Sequence, residues 1–113
     1  MKMSQAGKFQ TKITDLFGIT HPILCGGMMW LSDADYVSAV VNAGAMGFIT
    51  PRSFSSLDEF GTELARCRRL TDGRPFGVNL YISGQQEHNE LLNQWVTLSL
   101  DAGVRHFETA GMS

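Results

Sequence analysis

Short apolar runs alternate with amphipathic stretches along most of this chain. Each apolar run is bounded by Gly or Pro, which is typical of buried strands. The stretches between them carry apolar residues at helical spacing, as Tyr36, Val37, Val40 and Val41 do. The pattern therefore predicts four strands, at 22–25, 45–50, 75–81 and 105–110, and three helices, at about 33–43, 57–69 and 87–102.

Capping residues support two of these helices. Ser32, with Asp35 three residues later, predicts a capping box for the first helix, and Gly44 is expected to end it. Ser56 and Glu59 repeat the same arrangement before the second helix. Both helices thus have a start that the local sequence specifies.

The alternation of strands and helices predicts βαβ units and a parallel α/β sheet. Four such repeats match the first half of a TIM (β/α)8 barrel, which normally needs about 250 residues. An open, doubly wound sheet is the alternative. We expect residues 1–113 to form a single partial barrel domain with about four strands and three helices, truncated after the last strand. In the lead-in before the first strand, residues 13–19 (ITDLFGI) are expected to form a short strand or a turn.

Composition excludes several classes of function. The net charge is −2 and no basic block is longer than Arg68-Arg69, so nucleic-acid binding has no electrostatic basis. No apolar run approaches the roughly 18 residues of a membrane helix, and the N-terminus lacks the apolar segment of a secretory signal. Cys25 and Cys67 match no metal spacing. We expect a cytoplasmic protein with reduced thiols, no membrane association and no bound metal.

The stretch PILCGGMM, residues 22–29, is the first candidate site. A phosphate loop is disfavoured, because no lysine follows Gly27 and the G-x-G-x-x-G pattern is absent. A catalytic role for Cys25 is disfavoured because His21 precedes the strand and is expected at its opposite end. A tight turn with core packing remains as an alternative to a ligand-binding loop, since parallel sheets bind ligands at the carboxyl ends of strands.

Polar residues follow the other strands at the same end. Asn79 closes the third strand, Glu108 to Gly111 close the fourth, and Thr50 begins a less diagnostic Thr-Pro-Arg segment. Glu108 is either a general base or the partner of a neighbouring group. Together with Met28, such a surface suits an uncharged, flat, hydrogen-bonding ring better than a phosphate or a metal.

The segments PILCGGMM, NAGAMGFIT, LTDGRPFGVNL and AGVRHFETAG, in this order, resemble the N-terminal part of nitronate monooxygenases, formerly called 2-nitropropane dioxygenases. The similarity covers residues 11–113. It implies an FMN-dependent (β/α)8 barrel enzyme that oxidatively denitrifies alkyl nitronates, small-molecule substrates. The cofactor-binding residues that it implies are Gly26, Gly27, Met28 and Asn79, and Thr109, Ala110 and Gly111 are implied on the substrate side.

Two departures from the family pattern limit this inference. Gly27 stands where the family usually has a proline before the methionine, and this affects the expected path of the loop. The family's catalytic histidine and FMN-phosphate loops come from later strands, so His21, His88 and His106 inherit no catalytic role and we assign no catalytic residue in this chain. FMN binding by the chain alone is therefore expected to be weak or absent.

Two other functions remain open. One is a flavin-type enoyl reductase, which shares the barrel and much of the first-loop pattern. The other is a catalytically inactive half-barrel that self-associates to cover its open sheet edges. In either case we expect a homo-oligomer.

Overall fold

A four-stranded parallel sheet with helices on its outer face organises the chain. The computed structural model describes residues 2–3 and 9–111. A small antiparallel pair of strands and a short helix precede the parallel sheet. The strands are β1 (Lys2–Met3), β2 (Phe9–Gln10), β3 (Leu24–Cys25), β4 (Met46–Ile49), β5 (Gly77–Ile82) and β6 (His106–Gly111). The α-helices are α1 (Lys12–Phe17), α2 (Ala34–Asn42), α3 (Leu57–Leu70) and α4 (Leu92–Asp101), and 3₁₀ turns span Pro51–Ser53 and Gln86–Asn89.

The order of the parallel strands decides between the two predicted architectures. The sheet runs β3-β4-β5-β6, so each strand lies beside its neighbour in sequence. A doubly wound sheet reverses its strand order at a switch point, whereas a barrel adds strands in one direction. The α/β fold and its half-barrel arrangement are therefore confirmed. No helix within the described residues is long and apolar enough to cross a membrane.

The lead-in contains a helix, so the prediction of a strand or turn for 13–19 was wrong. Thr11 caps α1: its hydroxyl accepts from the Thr14 N–H at 3.1 Å, and the Thr14 hydroxyl accepts from the Thr11 N–H at 2.8 Å. Gly18, with a φ of 68°, ends the helix in the left-handed conformation. The two threonines form a reciprocal capping box that differs from the usual Ser/Thr and Glu/Gln pair.

Helix α2 is capped one residue later than the sequence predicted. Asp33, not Ser32, caps α2 and accepts a hydrogen bond from the Tyr36 N–H at 2.9 Å. Ser32 is fully buried, and its hydroxyl accepts from the Met28 N–H at 2.7 Å. Asp35 forms an ion pair with Arg66 of α3. Ser32 therefore stabilises the loop before the helix.

Helices α3 and α4, which correspond to the second and third predicted helices, differ in how the sequence specifies their starts. Ser56 caps α3 as predicted, accepting from the Glu59 N–H at 3.1 Å, and Glu59 in turn accepts from the Ser55 N–H. No side chain caps α4, which begins at Leu92 and not near Glu87, because residues 86–89 form a 3₁₀ turn. The predicted third helix was therefore too long at its start.

The sheet has two unlike faces. The outer face packs on the helices: Ile49, Val78 and Leu80 belong to one buried cluster with residues of α2, α3 and α4, among them Phe60, Leu64 and Trp95. Because side chains alternate along a strand, the residues between them point to the concave inner face. Thr50, Asn79 and Glu108 lie on this inner face: Thr50 directly follows β4, whereas Asn79 and Glu108 are each the third residue of β5 and β6, because β5 extends further than predicted.

Candidate functional site

Two inner-face side chains form the centre of the candidate site. Asn79 on β5 and Glu108 on β6 are register partners, so their side chains emerge side by side from the same face. The Asn79 amide donates from Nδ2 to Glu108 Oε1 at 2.9 Å. Asn79 is only 7% exposed and Glu108 is half-buried. Of the two roles predicted for Glu108, the structure thus shows the second, a carboxylate that is hydrogen-bonded to a neighbouring group.

The loop after β3 reaches the same carboxylate from the far side of the sheet. The Gly27 N–H donates to Glu108 Oε1, although β3 and β6 are the outer strands of the sheet. In a flat sheet these strands would lie about 14 Å apart. The two residue steps from Cys25, at the end of β3, to Gly27 span only about 7 Å. The contact is therefore possible because the sheet curls, as a barrel wall does.

Gly27 makes a close approach that only glycine permits. A Cβ at this position would lie 2.5 Å from Asn79 Cβ and 2.7 Å from Thr50 Oγ1. A proline here would introduce such a Cβ and would lack the N–H that Glu108 accepts. The loop path seen here therefore depends on the glycine that departs from the family pattern.

The remainder of this loop presents apolar side chains to solvent. Met28 is 42% exposed and Trp30 is 73% exposed. The Ser32 hydroxyl holds the Met28 N–H, and the Ser53 hydroxyl accepts from the Trp30 N–H at 2.8 Å. Trp30 has a φ of 70°, a left-handed conformation that is uncommon for a bulky residue. Two serines thus fix a loop whose large side chains cover little of the protein.

The predicted substrate-side residues are exposed at the carboxyl end of β6. Ala110 is the register partner of Tyr81 and lies on the inner face. Thr109 pairs with Leu80, which packs against the helices, so its side chain lies on the opposite face from Glu108. Gly111 has a φ of 115°, and a Cβ on it would lie 2.2 Å from the Ile82 carbonyl oxygen. Their role on the substrate side stays a prediction.

Arg52, in the 3₁₀ turn after β4, fixes the segment that follows β5, a role that its position in the sequence did not predict. Its Nη2 donates to the carbonyl oxygens of Tyr81, at 3.2 Å, and His88, at 2.7 Å. Its guanidinium lies 5.3 Å from the Tyr81 ring centroid and 5.1 Å from that of Trp95. The Thr-Pro-Arg segment marked a polar strand end, but the partners of Arg52 come from distant elements and carried no local signal.

The histidines lie away from the Asn79–Glu108 pair. His106 packs on Phe17 at the amino end of β6, with ring centroids 4.8 Å apart. His21 also lies at the amino end of the sheet, beside Gly44, where a cavity of about 460 Å³ opens. His88 is exposed in the turn that Arg52 holds. Within residues 2–3 and 9–111, no three metal-ligating side chains come together.

The two cysteines differ in environment. Cys67 is fully buried in the helix-facing core. Burial, followed by the nearby Glu63 carboxylate, raises the pKa of its thiol to about 12. Cys25, at the end of β3, is half-buried. Cys67 therefore stays a protonated core residue at neutral pH.

Known proteins provide an independent comparison with this arrangement. A family model for nitronate monooxygenase matches residues 10–110. A probable nitronate monooxygenase of Staphylococcus saprophyticus is 33% identical over 93 residues, which cover 79% of this chain and 26% of that protein. A (3aS,4S,5R,7aS)-5-hydroxy-7a-methyl-1-oxo-octahydro-1H-indene-4-carboxyl-CoA dehydrogenase of Mycobacterium tuberculosis is 38% identical over 73 residues, which cover 65% of this chain and 20% of that enzyme.

A solved structure gives the same result for the fold. The enoyl reductase domain of MlnA, from the macrolactin biosynthesis cluster of Bacillus amyloliquefaciens, matches 94% of this chain and 24% of that chain with a TM-score of 0.76. At 20% sequence identity this similarity concerns the fold alone. The matched part of the chain spans between a fifth and about a quarter of the length of these relatives. The similarity predicted from its strand-end segments is confirmed, and the chain belongs to the nitronate monooxygenase family.

Proposed function

We propose that this chain forms one wall of the flavin site of an FMN-dependent oxidoreductase that oxidises alkyl nitronates. The observation that carries the proposal is the convergence of Gly27, beyond the carboxyl end of β3, with the inner-face side chains of Asn79 and Glu108. Parallel α/β folds bind their ligands at this end of the sheet. Membership of the nitronate monooxygenase family supports the reaction class.

The residues present fit the ring of a flavin. The site offers backbone at Gly26 and Gly27, the Oδ1 of the Asn79 amide, which has no hydrogen-bond partner among the described residues, and exposed thioether and indole groups from Met28 and Trp30. A flat heteroaromatic ring takes both hydrogen bonds at its edge and apolar contact on its faces. Thr50 adds a buried hydroxyl whose oxygen has no partner in the described part of the chain.

Each residue would contribute binding or orientation. Gly26 and Gly27 permit close backbone approach, and Met28 provides an apolar wall that excludes water. Asn79 would hydrogen-bond the ring or its ribityl chain, while Glu108 holds both the Asn79 amide and the loop in place. Ala110 would lie beside the substrate, and Thr109 and Gly111 would contribute through their backbone. A bound flavin supplies the redox chemistry, which no side chain of this site provides.

Flavin titration tests this proposal directly. FMN titrated into the purified chain should quench the fluorescence of the exposed Trp30, because the flavin ring would bind beside it. Asn79→Ala should weaken this binding, whereas Asn93→Ala, an exposed change on α4, should not. A chain that leaves FMN free at millimolar concentration would contradict the assignment.

A second candidate function is that of a flavin-type reductase or dehydrogenase acting on a thioester. The observation in its favour is the 38% identity to a relative named as a carboxyl-CoA dehydrogenase. The two candidates differ in substrate charge and size. With flavin present, an alkyl nitronate should perturb Trp30 fluorescence under the first function, and an acyl-CoA thioester should do so under the second.

We also propose that the chain self-associates. The outer edge of β6 has no strand beside it among residues 9–111, and the apolar side chains of Ile23 and Leu24 near the β3 edge are 53% and 47% exposed. Open strand edges and exposed apolar side chains favour pairing with another chain. Light scattering should give a mass above that of one chain, and a compact monomer would contradict this proposal.

A further inference from the structure

Thr50 is a buried polar residue that the fold does not use. It is 3% exposed, and its Oγ1 has no hydrogen-bond partner among the described residues. Most buried side-chain polar atoms in proteins have a partner, and an unsatisfied hydroxyl lowers the stability of the folded state. The Thr50 hydroxyl therefore lacks the hydrogen-bond partner that a buried hydroxyl usually has.

Local structure does not provide one. Thr50 precedes the 3₁₀ turn Pro51–Ser53, where a threonine hydroxyl commonly caps the turn, but here it makes no capping bond. The backbone of Thr50 is already satisfied: its N–H donates to the Ser32 carbonyl at 3.2 Å, and its carbonyl accepts from the Ser53 N–H at 3.2 Å. Only the side-chain hydroxyl of Thr50 has no hydrogen-bond partner among the described residues.

The hydroxyl lies in the candidate site. Thr50 follows β4 on the inner face of the sheet, since Ile49 points to the helix-facing core. The Thr50 hydroxyl and the Asn79 side chain both border Gly27, at 2.7 Å and 2.5 Å from where a Cβ on Gly27 would stand. Three groups that can contact a ligand thus adjoin one another.

We infer that Thr50 is a ligand-contacting residue whose hydroxyl hydrogen-bonds the edge of the flavin ring. This inference rests on the proposed function. A hydroxyl both donates and accepts, so it matches either a ring carbonyl or a ring nitrogen. Because Gly27 lies against Thr50 and donates to Glu108, contact requires that hydrogen bond to break so that residues 26–27 move aside, and the two glycines make that change sterically accessible.

Two substitutions separate a ligand role from a structural one. Thr50→Val keeps the shape and removes the hydroxyl, while Thr50→Ser keeps the hydroxyl and removes the methyl group. Equilibrium dialysis would measure the affinity of each variant for lumiflavin, riboflavin and FMN, and urea unfolding would measure the stability of the unliganded protein.

Thr50→Val should lower the affinity for flavins without lowering the stability of the unliganded protein. Thr50→Val should leave the urea midpoint unchanged or raise it, because it removes an unsatisfied buried hydroxyl. The same substitution should lower the affinity for all three flavins by about tenfold, which is the loss expected for one hydrogen bond in a binding site. An equal loss for lumiflavin, which has neither ribityl chain nor phosphate, assigns the contact to the ring. Thr50→Ser should bind within about twofold of the wild type.

Other outcomes overturn the inference in distinguishable ways. A wild-type chain that binds none of the three flavins overturns both this inference and the proposed function. Flavin binding that Thr50→Val leaves unchanged overturns only the role of Thr50. A lowered urea midpoint for Thr50→Val assigns the hydroxyl to the fold, and a Thr50→Ser variant that loses as much affinity assigns the effect to the methyl group.

Discussion

The two ends of the concave inner face of the sheet are built from different chemistry. At the amino end, Phe17 of α1 meets the Phe48 ring edge-on at 6.4 Å between centroids and packs on His106 at 4.8 Å. The Phe48 ring also covers Gly77, where a Cβ would lie 2.3 Å from its Cδ1. At the carboxyl end, the same strands carry Thr50, Asn79 and Glu108 beneath a glycine loop.

The two ends of the sheet therefore differ in how their residues affect the stability of the folded state. The amino end is closed by aromatic packing, which favours the folded state. The carboxyl end keeps a buried hydroxyl without a partner and a loop of exposed apolar residues, both of which are unfavourable for stability. Such local costs are typical of binding sites, and they support the proposed ligand site at the carboxyl end.

The largest effect is expected at the amino end. Phe48→Ala should lower the free energy of unfolding by about 3–5 kcal/mol, because Phe48 is only 3% exposed and its ring contacts cannot be replaced. Urea denaturation followed by circular dichroism would measure the loss. A loss below about 1 kcal/mol would show that α1 does not close this end of the sheet.

The second effect tests the close approach at the carboxyl end. Gly27→Ala should lower the unfolding free energy by about 1–3 kcal/mol and weaken flavin binding more than tenfold, because the new Cβ collides with Asn79 and Thr50. Gly26→Ala is the comparison and should lower the unfolding free energy less, since its Cβ would meet only the Glu108 side chain, 3.3 Å from Oε2 and 3.4 Å from Oε1. Equal effects of the two substitutions would contradict the observed loop path.

A smaller change is expected when the polar pair is broken. Asn79→Ala removes the donor to Glu108 Oε1 and should lower the unfolding free energy by about 1–2 kcal/mol. Its effect on flavin affinity should exceed that of Phe48→Ala measured under conditions where both variants are folded. If Phe48→Ala impairs binding as strongly as Asn79→Ala does, function is not confined to the carboxyl end.

The smallest effect is expected outside both ends. Gly61 lies within α3, and a Cβ there would have no neighbour within 4 Å. Gly61→Ala should raise the unfolding free energy by about 0.5–1 kcal/mol through reduced entropy of the unfolded chain, with no change in flavin affinity. A decrease in stability would mean that the helix-facing side is packed more closely than its geometry indicates.

Sequence reasoning was most successful where the determining residues are neighbours in the chain. The alternation of apolar and amphipathic segments located all four parallel strands, and Ser56 marked the start of α3. It was less successful where two residues of similar capping ability compete, as Ser32 and Asp33 do. Packing decided that competition, because burial of Ser32 beneath the loop leaves Asp33 to cap α2.

The sequence by itself determined the parallel α/β class, the family similarity and the strand ends at which a ligand site would form. Only the tertiary structure decided that the strands follow one another in barrel order and that Glu108 holds Asn79, 29 residues away, and Gly27, 81 residues away. It also left the Thr50 hydroxyl without a partner. The physical reason is that strand and cap preferences act over a few residues, whereas the curl of the sheet brings together groups that no local pattern connects.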